Sequence, residues 1–179
     1  MRKFKEYKLT DLKEEFKKLI LEWRNSDHIR KYMIDENIIT EEEHNKWFES
    51  KKTEKLAKLL LFKEKPIGFV NFSDFDYKHN ICYWGFYIGE KNAPKGSGLI
   101  MGLLALNYIF EECYLNKLYS KVLSFNDKSI NYHKKIGFVE ESMLKNHLIK
   151  NNNYVDIIEY TLSKENWEKR KKELEENVN

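Results

Sequence analysis

The chain has 179 residues, which is enough for one domain with a substantial hydrophobic core. Its hydrophobic content of 41%, with 11 Tyr and 11 Phe, excludes an intrinsically disordered chain. The 32 basic residues are nearly matched by 29 acidic ones, and the net charge is +3. This balance indicates a mixed, solvated surface without the basic stripe of a nucleic-acid-binding protein.

Neither a membrane segment nor a metal site is expected. No apolar run is long enough to span a bilayer, and residues 1–6 lack the hydrophobic region of a signal peptide. Cys82 and Cys113 do not have metal-ligand spacing, and no zinc or calcium motif occurs. We therefore expect a cytoplasmic protein with reduced cysteines, no metal, and neither membrane nor nucleic acid as a partner.

The first third of the chain has the pattern of one strand followed by three helices. Residues 4–9 alternate apolar and polar side chains, as a half-buried strand does. Thr10 or Asp11 is a candidate cap for the next helix, because Glu14 lies at capping-box distance from Asp11. A short second helix is predicted after it. The third helix is predicted to begin at Thr40, which again has a capping-box signature.

The rest of the chain alternates strands with helices. Strands are predicted at residues 56–62, 67–75, 81–89, 117–125, 138–149 and 154–162, and helices at residues 97–116 and 128–136. The charged tail, residues 164–179, is predicted to be a peripheral, exposed helix. A strand–helix–strand crossover flanked by antiparallel hairpins indicates an α+β fold (α/β in some schemes) with a mixed central sheet. No linker or repeat divides the chain, so we expect a single domain over residues 1–179.

A glycine turn, residues 95–98, connects the aromatic strand to the following helix. Gly96 and Gly98 permit a tight turn and a close approach of the backbone to a ligand. The first amides of the helix lack internal partners and lie at the positive end of its dipole, where phosphate oxygens bind. On spacing alone, an ordinary glycine-rich turn is an equal alternative.

Two motifs resemble those of the GNAT N-acetyltransferases. The first is the glycine turn, which matches the family pattern Gln/Arg-x-x-Gly-x-Gly/Ala except that Ala93 stands at its first position, with Lys95 as a nearby cation. The second consists of Asn126, Ser129, His133, Gly137 and Phe138 at the family spacing, where a Tyr more often occupies the position of His133. The resemblance covers residues 62–162. It implies the GNAT acyl-CoA N-acyltransferase fold, in which helices flank the sheet and the fourth and fifth strands splay apart.

The resemblance also implies a site for acetyl-CoA as the acetyl donor. The glycine turn is expected to hold the pyrophosphate, and the splayed fourth strand is expected to contact the acetyl-pantetheine arm. The expected cofactor-binding residues are Phe86, Tyr87, Ile88, Lys95, Gly96, Ser97, Gly98, Leu99, Asn126 and Ser129. A helix cap is an alternative role for Asn126, and an exposed helix position is an alternative for Ser129.

Amide formation from a thioester requires a neutral amine, a donor to the developing oxyanion and an acid for the leaving thiolate. His133 is the candidate acid by its place in the motif, because imidazole titrates near neutral pH. Tyr132 is its neighbour, but adjacent helical residues face about 100° apart and are not expected to reach the same sulfur. His133, Tyr132 and water all remain candidates, as does a His133 that only hydrogen-bonds the cofactor. No carboxylate is singled out as the base.

The first third of the chain resembles a narrower group, the N-acetyltransferases of pseudaminic acid biosynthesis, a pathway that serves flagellin glycosylation. The residues that carry this resemblance are 23–33, 39–44 and Trp47. That group acetylates the 4-amino group of a UDP-linked 4-amino-4,6-dideoxy sugar by direct attack on the thioester. Arg24 and Arg30 are the expected phosphate ligands, because guanidinium groups bind phosphates bidentately.

Five further residues are candidates for contacting the sugar. Asn25 is expected to hydrogen-bond the sugar or the uracil. Met33, His44 and Trp47 are expected to form the wall around the 6-methyl group, and Asn71 is expected to reach the sugar from the third strand. Core packing is the alternative for Trp47, a position on the helix surface for His44, and an outward polar position for Asn71.

Other functions remain open from the sequence. The acceptor could instead be another nucleotide-linked amino sugar, a protein N-terminus or a polyamine, and the chain could be a non-catalytic acyl-CoA-binding module. A polyamine enzyme should have an acidic substrate pocket, whereas Arg24 and Arg30 favour an anionic substrate. Monomer and homodimer are both left open.

Overall fold

The computed structural model describes residues 4–178, so the predictions for residues 1–3 and for residue 179 lie outside the described residues. The strands are β1 Tyr7–Asp11, β2 Ala57–Phe62, β3 Lys65–Asp76, β4 Ile81–Ile88, β5 Lys117–Leu123, β6 Val139–Lys150 and β7 Asn153–Ser163. The α-helices are α1 Lys17–Asn25, α2 Asp27–Arg30, α3 Glu41–Glu54, α4 Ser97–Asn107, α5 Asp127–Lys135 and α6 Lys164–Val178. The helix predicted over residues 97–116 is shorter, because α4 ends at Asn107 and a π-helical turn, Tyr108–Glu112, follows.

The strands form a mixed sheet in the order β1-β2-β3-β4-β5-β7-β6. β4 and β5 run parallel, whereas β1 with β2, β2 with β3, β5 with β7 and β6 with β7 pair antiparallel. The parallel ladder joins only residues 81–83 of β4 to residues 117–119 of β5. The remaining residues of both strands lie beyond this ladder. The predicted α+β fold with a mixed sheet and splayed fourth and fifth strands is therefore confirmed.

The chain divides into two compact units, each defined by the contacts among its own residues. The first unit contains residues 4–73 and 86–105, and the second contains residues 74–85 and 106–178. The single domain expected over residues 1–179 stays a prediction.

The core of the first unit lies between its sheet and two helices. β2 is buried along almost its whole length, and its residues are apolar except Lys58, which pairs with Asp11. Ile20 and Trp23 of α1 and Phe48 of α3 pack with Leu59 of β2 and Phe69 of β3. Each of these helices therefore presents one apolar stripe to the strands.

The two predicted helix caps have different outcomes. Thr40 begins α3, because its Oγ1 accepts a hydrogen bond from Glu43 N at 3.3 Å and its N–H donates to Glu43 Oε2 at 2.8 Å, which confirms the capping box. The cap predicted at Thr10 or Asp11 is wrong. Both residues pair with β2 as part of β1, and α1 begins only at Lys17. Pairing with a buried strand outweighs the local capping preference there.

In the second unit, α6 is anchored by two buried side chains. Trp167 is fully buried and Leu174 is 2% exposed. In addition, Arg170 Nε donates to Lys135 O at 2.8 Å. The predicted helix is present, but its predicted exposure is wrong. Trp167 and Leu174 are seven residues apart, so they lie on the same helix face and pack inward together.

Candidate functional site

The glycine turn precedes the N-terminus of α4, as the motif predicts. Gly96 has a φ of +91°, a left-handed conformation that glycine adopts without strain, and a Cβ there would meet nothing within 4 Å. Leu99 N and Ile100 N both donate to Gly96 O, at 3.0 and 3.1 Å, so the helix starts directly after the turn. Lys95 is exposed beside it. Open space over the backbone, a helix N-terminus and an adjacent cation together fit a pyrophosphate.

Ser97 shapes this turn from the inside. Its side chain is 2% exposed, and both its N–H and its hydroxyl donate to Pro94 O, at 3.1 and 2.7 Å. Tyr7 of β1 contributes the other contact, because its hydroxyl lies 3.0 Å from Ser97 Oγ. The structure therefore assigns the Ser97 hydroxyl to the turn and not to direct contact with the coenzyme.

At the end of β4, Tyr87 and Ile88 pack on opposite faces of the sheet. The Tyr87 ring lies 6.4 Å from Trp23 and 5.4 Å from Phe69, and burial raises the pKa of the Tyr87 hydroxyl. Ile88 lies close to Gly68, where an added Cβ would stand 3.0 Å from Ile88 Cδ1. Phe86 is half-buried. The contact of Phe86, Tyr87 and Ile88 with the acetyl-pantetheine arm stays a prediction.

Gly89, directly after β4, joins this strand end to the first helices. A Cβ at Gly89 would stand 2.1 Å from Trp23 Cδ2, so the Trp23 ring lies against bare backbone. His28 Nε2 lies 3.3 Å from Gly89 O, and because a carbonyl only accepts, Nε2 carries the proton. Gly89 N donates to Ile67 O at 2.9 Å. The segment expected to bind substrate is thus packed directly onto the end of β4.

Arg24, Asn25 and Arg30 hold the loop at residues 31–40. Arg24 Nη2 donates to Asp35 O at 2.6 Å, and Arg30 Nη1 donates to Glu36 O at 3.1 Å. The loop carbonyls are therefore bound by guanidinium groups that were predicted to bind phosphate.

Asn25 forms two hydrogen bonds with one backbone position of this loop. Its Nδ2 donates to Ile39 O at 2.8 Å, and its Oδ1 accepts from Ile39 N at 2.9 Å. Both ends of the Asn25 amide therefore hold the loop, and its contact with sugar or uracil stays a prediction.

Each of the two guanidinium groups retains a buried nitrogen without a partner among the described residues. These nitrogens are Arg24 Nη1 and Arg30 Nε. Burial lowers the pKa of Arg24, and the charge of Arg30 lowers it further, whereas Tyr87 and Asp35 act in the opposite direction. Arg30 is also paired with Asp27, whose Oδ1 lies 2.8 Å from Arg30 Nη2. Phosphate binding by Arg24 and Arg30 stays a prediction.

The remaining sugar candidates have different surroundings. His44 is 3% exposed, its Nε2 donates to Lys17 O at 2.8 Å, and its ring stacks on Trp47 at 5.3 Å. Burial lowers the pKa of His44. The helix-surface alternative for His44 is therefore wrong, and its place in the wall of a sugar pocket stays a prediction. Met33 is half-buried within the 31–40 loop, and Asn71 Oδ1 is buried without a hydrogen-bond partner in the described part of the chain.

In the second unit, Asn126 and Ser129 begin α5. Asn126 Oδ1 accepts a hydrogen bond from Ser129 N at 3.2 Å, which confirms the helix-cap alternative for Asn126. Ser129 O in turn accepts from His133 Nδ1 at 2.7 Å. Their contact with the coenzyme stays a prediction.

His133 is buried among aromatic rings, with 1% of its surface exposed. It stacks on Tyr160 at 5.4 Å and meets Trp84 and Phe138 edge-on at 6.0 and 5.0 Å. Burial lowers the pKa of His133 to about 4, so the ring is neutral at pH 7. Its Nδ1 proton is donated to a carbonyl, so the predicted imidazolium donor is wrong. Tyr132, whose half-buried ring lies 5.9 Å away, and water remain candidates for the acid.

Sequence reasoning missed two residues of the first unit that contact the predicted site. Tyr7 is hydrogen-bonded to Ser97 of the glycine turn, and His28 is hydrogen-bonded to Gly89 at the end of β4. Their partners are 90 and 61 positions away in the chain, and no spacing rule connects residues that far apart.

Residues 4–178 contain neither a membrane-spanning helix nor a metal cluster. No helix of this part is long and apolar enough to cross a membrane. No group of three or more His, Cys, Asp or Glu side chains in it is arranged to hold a metal ion.

Comparison with known proteins identifies the family. Residues 8–139 match the acetyltransferase (GNAT) domain. The prophage-derived, uncharacterized N-acetyltransferase YokL of Bacillus subtilis is 30% identical over 104 residues, which are 57% of this chain and 58% of that protein. Spermidine N(1)-acetyltransferase of Vibrio cholerae is 30% identical over 91 residues, 51% of this chain and 53% of that protein. The chain therefore matches only between half and three fifths of the length of these relatives.

A solved structure shows the same fold. Spermidine N-acetyltransferase from Vibrio cholerae in complex with CoA and spermine superposes with a TM-score of 0.84 at 22% identity, over 91% of this chain and 98% of that one. The family match covers well over half of the sequence, and the chain belongs to the GNAT acetyltransferases. The matched relatives are named N-acetyltransferases, and the solved structure is a complex with CoA.

Proposed function

We propose that this acetyltransferase acetylates the 4-amino group of a UDP-linked 4-amino-4,6-dideoxy sugar, as in pseudaminic acid biosynthesis. The observation that carries this proposal is the pair of buried donors, Arg24 Nη1 and Arg30 Nε, that lack partners in the described residues. Buried N–H groups are rarely left unsatisfied, and a diphosphate oxygen is a strong acceptor for them. The 4-amino group of the sugar would then approach the thioester from the side of the 31–40 loop.

The apolar character of the 31–40 loop supports a deoxy sugar. Ile34 and Ile38 are 48% and 65% exposed, and Met33 is half-buried beside them. Exposed apolar side chains next to cationic groups suit a ligand that combines a methyl group with phosphates. Asn71, with its buried unsatisfied Oδ1, is an acceptor for a sugar hydroxyl or amide.

The chemistry needs few protein groups. The neutral amine attacks the thioester carbonyl, the C–N bond forms, the C–S bond breaks, and the amine loses a proton while the thiolate gains one. In this proposal a backbone N–H at the end of β4 stabilises the developing oxyanion. Tyr132 or water protonates the thiolate, since His133 is neutral and already bonded to Ser129.

A polyamine is the second candidate acceptor. Spermidine acetyltransferase of Vibrio cholerae is matched in sequence and in structure, and its structure was solved with CoA and spermine. The loop and the start of α3 also carry acidic residues: Asp35, Glu36, Glu41, Glu42 and Glu43. However, Glu43 caps α3 and Glu42 pairs with Lys46 at 2.7 Å, so part of this charge is already engaged.

The test measures coenzyme A release with the UDP-linked amino sugar, with spermidine and with a peptide amine, together with the affinity for UDP alone. Arg24→Gln and Arg30→Gln should each weaken UDP binding by about tenfold, the loss expected for one charge-assisted contact. Lys46→Gln, on the exposed side of α3, is the matched loss of one positive charge and should leave the affinity unchanged. Turnover of spermidine or peptide but not of the sugar, with no measurable UDP binding, would overturn the proposal.

A further inference from the structure

One buried hydrogen-bond chain connects the first strand to the glycine turn. Tyr7 is 9% exposed and Ser97 is 2% exposed, and their hydroxyl oxygens are 3.0 Å apart. The Ser97 hydroxyl lies 2.7 Å from Pro94 O. This series of hydrogen bonds therefore begins at a side chain of β1 and ends on the backbone of the segment that leads into the turn.

The direction of this chain follows from its last acceptor. A carbonyl oxygen has no proton to donate, so the single hydroxyl proton of Ser97 points to Pro94 O. The Ser97 oxygen must then accept from Tyr7, which donates its phenolic proton. Each hydroxyl has one defined role, and neither can rotate without breaking a buried hydrogen bond.

Tyr7 is itself held in place. It pairs with Phe62 across β1 and β2, and the two rings lie 4.9 Å apart. The donor is therefore fixed on a strand, whereas its target is a turn that contains a left-handed glycine. Ser97 N also donates to Pro94 O, at 3.1 Å, so the Ser97 orientation sets where the next amides of α4 point.

We propose that Tyr7 is a positioning residue for acetyl-CoA: its hydroxyl fixes Ser97 and thereby the backbone conformation of the glycine turn that receives the pyrophosphate. This inference rests on the proposed role of the glycine turn as the pyrophosphate site. It predicts that the Tyr7 hydroxyl matters only for ligands that carry the diphosphate.

The experiment compares two ligands and two single variants. Coenzyme A affinity is measured by calorimetry, and pantetheine affinity, which lacks the pyrophosphate, by ligand-observed NMR. Tyr7→Phe keeps the packed ring and removes only the hydroxyl, and it should weaken coenzyme A binding by about five- to tenfold while leaving pantetheine binding unchanged. Ser97→Ala should have a similar effect. Because both hydroxyl groups belong to one series of hydrogen bonds, the double variant should lose no more coenzyme A affinity than the weaker-binding single variant.

The control is Tyr114→Phe, which removes the hydroxyl of a Tyr that is 71% exposed, and it should leave both affinities unchanged. An equal loss for both ligands in Tyr7→Phe would show a general structural defect and overturn the proposal. An unchanged coenzyme A affinity would also overturn it. If the wild-type protein binds coenzyme A no better than pantetheine, the glycine turn is not the pyrophosphate site. That result would overturn the proposed site itself, independently of the role of Tyr7.

Discussion

Gly89 is the position where a single added methyl group should do the most damage. Its ideal Cβ would stand 2.1 Å from Trp23 Cδ2 and 2.5 Å from both Cγ and Cε3, distances at which no side-chain carbon can remain. Its φ is not positive, so alanine meets no backbone restriction and the whole cost is steric. Either the strand end or the Trp23 ring, which is only 7% exposed, must move.

The expected loss lies between two known limits. Overpacking a core costs about 1–3 kcal/mol, and removing a buried aromatic side chain altogether costs about 3–5 kcal/mol. Because the clash is with a rigid ring, we expect Gly89→Ala to lower the free energy of unfolding by about 3 kcal/mol. His28 should lose its contact with Gly89 O as well, so the KM for the acceptor amine should rise.

Urea denaturation followed by Trp fluorescence measures the stability change. Gly85→Ala is the matched control, because Gly85 lies on the same strand and a Cβ there would meet nothing within 4 Å. It should be neutral or slightly stabilising, since alanine reduces the entropy of the unfolded chain. If Gly89→Ala proves as stable as Gly85→Ala, the packing of Trp23 on bare backbone is refuted.

Three further outcomes follow from the structure. The pKa of His133 is about 4 in the folded protein, below its ordinary value of 6.5. Between these pH values the unfolded chain binds more protons than the folded one. The free energy of unfolding should therefore be highest above about pH 6.5 and fall by about 3 kcal/mol toward pH 4. His133→Phe should remove this acid-dependent loss in denaturation curves and keep the turnover profile near neutral pH. Asn25→Ala removes both bonds to Ile39, at about 1 kcal/mol each, and should make the 31–40 loop more sensitive to limited proteolysis while raising the acceptor KM. Trp167→Ala should cost about 3–5 kcal/mol in urea, whereas an exposed tail helix would cost almost nothing.

The strands and most helices were predictable because their signals are local. Buried strands such as β2 are mostly apolar, and the start of α3 carries a capping box whose two partners lie three residues apart. The false cap at Asp11 has the same local signal. It fails because residues 7–11 pair with β2, more than 45 positions away, and no local pattern contains that competition.

The candidate site was predictable as a motif but not as a set of contacts. The residue types of Arg24 and Asn25 suit phosphate and sugar, yet both bind backbone of the 31–40 loop first. His133 titrates near neutral pH in water, but four aromatic rings around it remove that property. Burial and tertiary hydrogen bonds decide such roles, and they depend on residues that are distant in the sequence.

A competition between two acceptors tests the central claim most directly. The enzyme is given limiting labelled acetyl-CoA and equal concentrations of the UDP-linked 4-amino-4,6-dideoxy sugar and spermidine, so that the label divides by the ratio of the two kcat/KM values. The two unsatisfied guanidinium nitrogens of Arg24 and Arg30 predict that most of the label enters the sugar at its 4-amino group. Label in spermidine alone would contradict the account and identify a polyamine acetyltransferase.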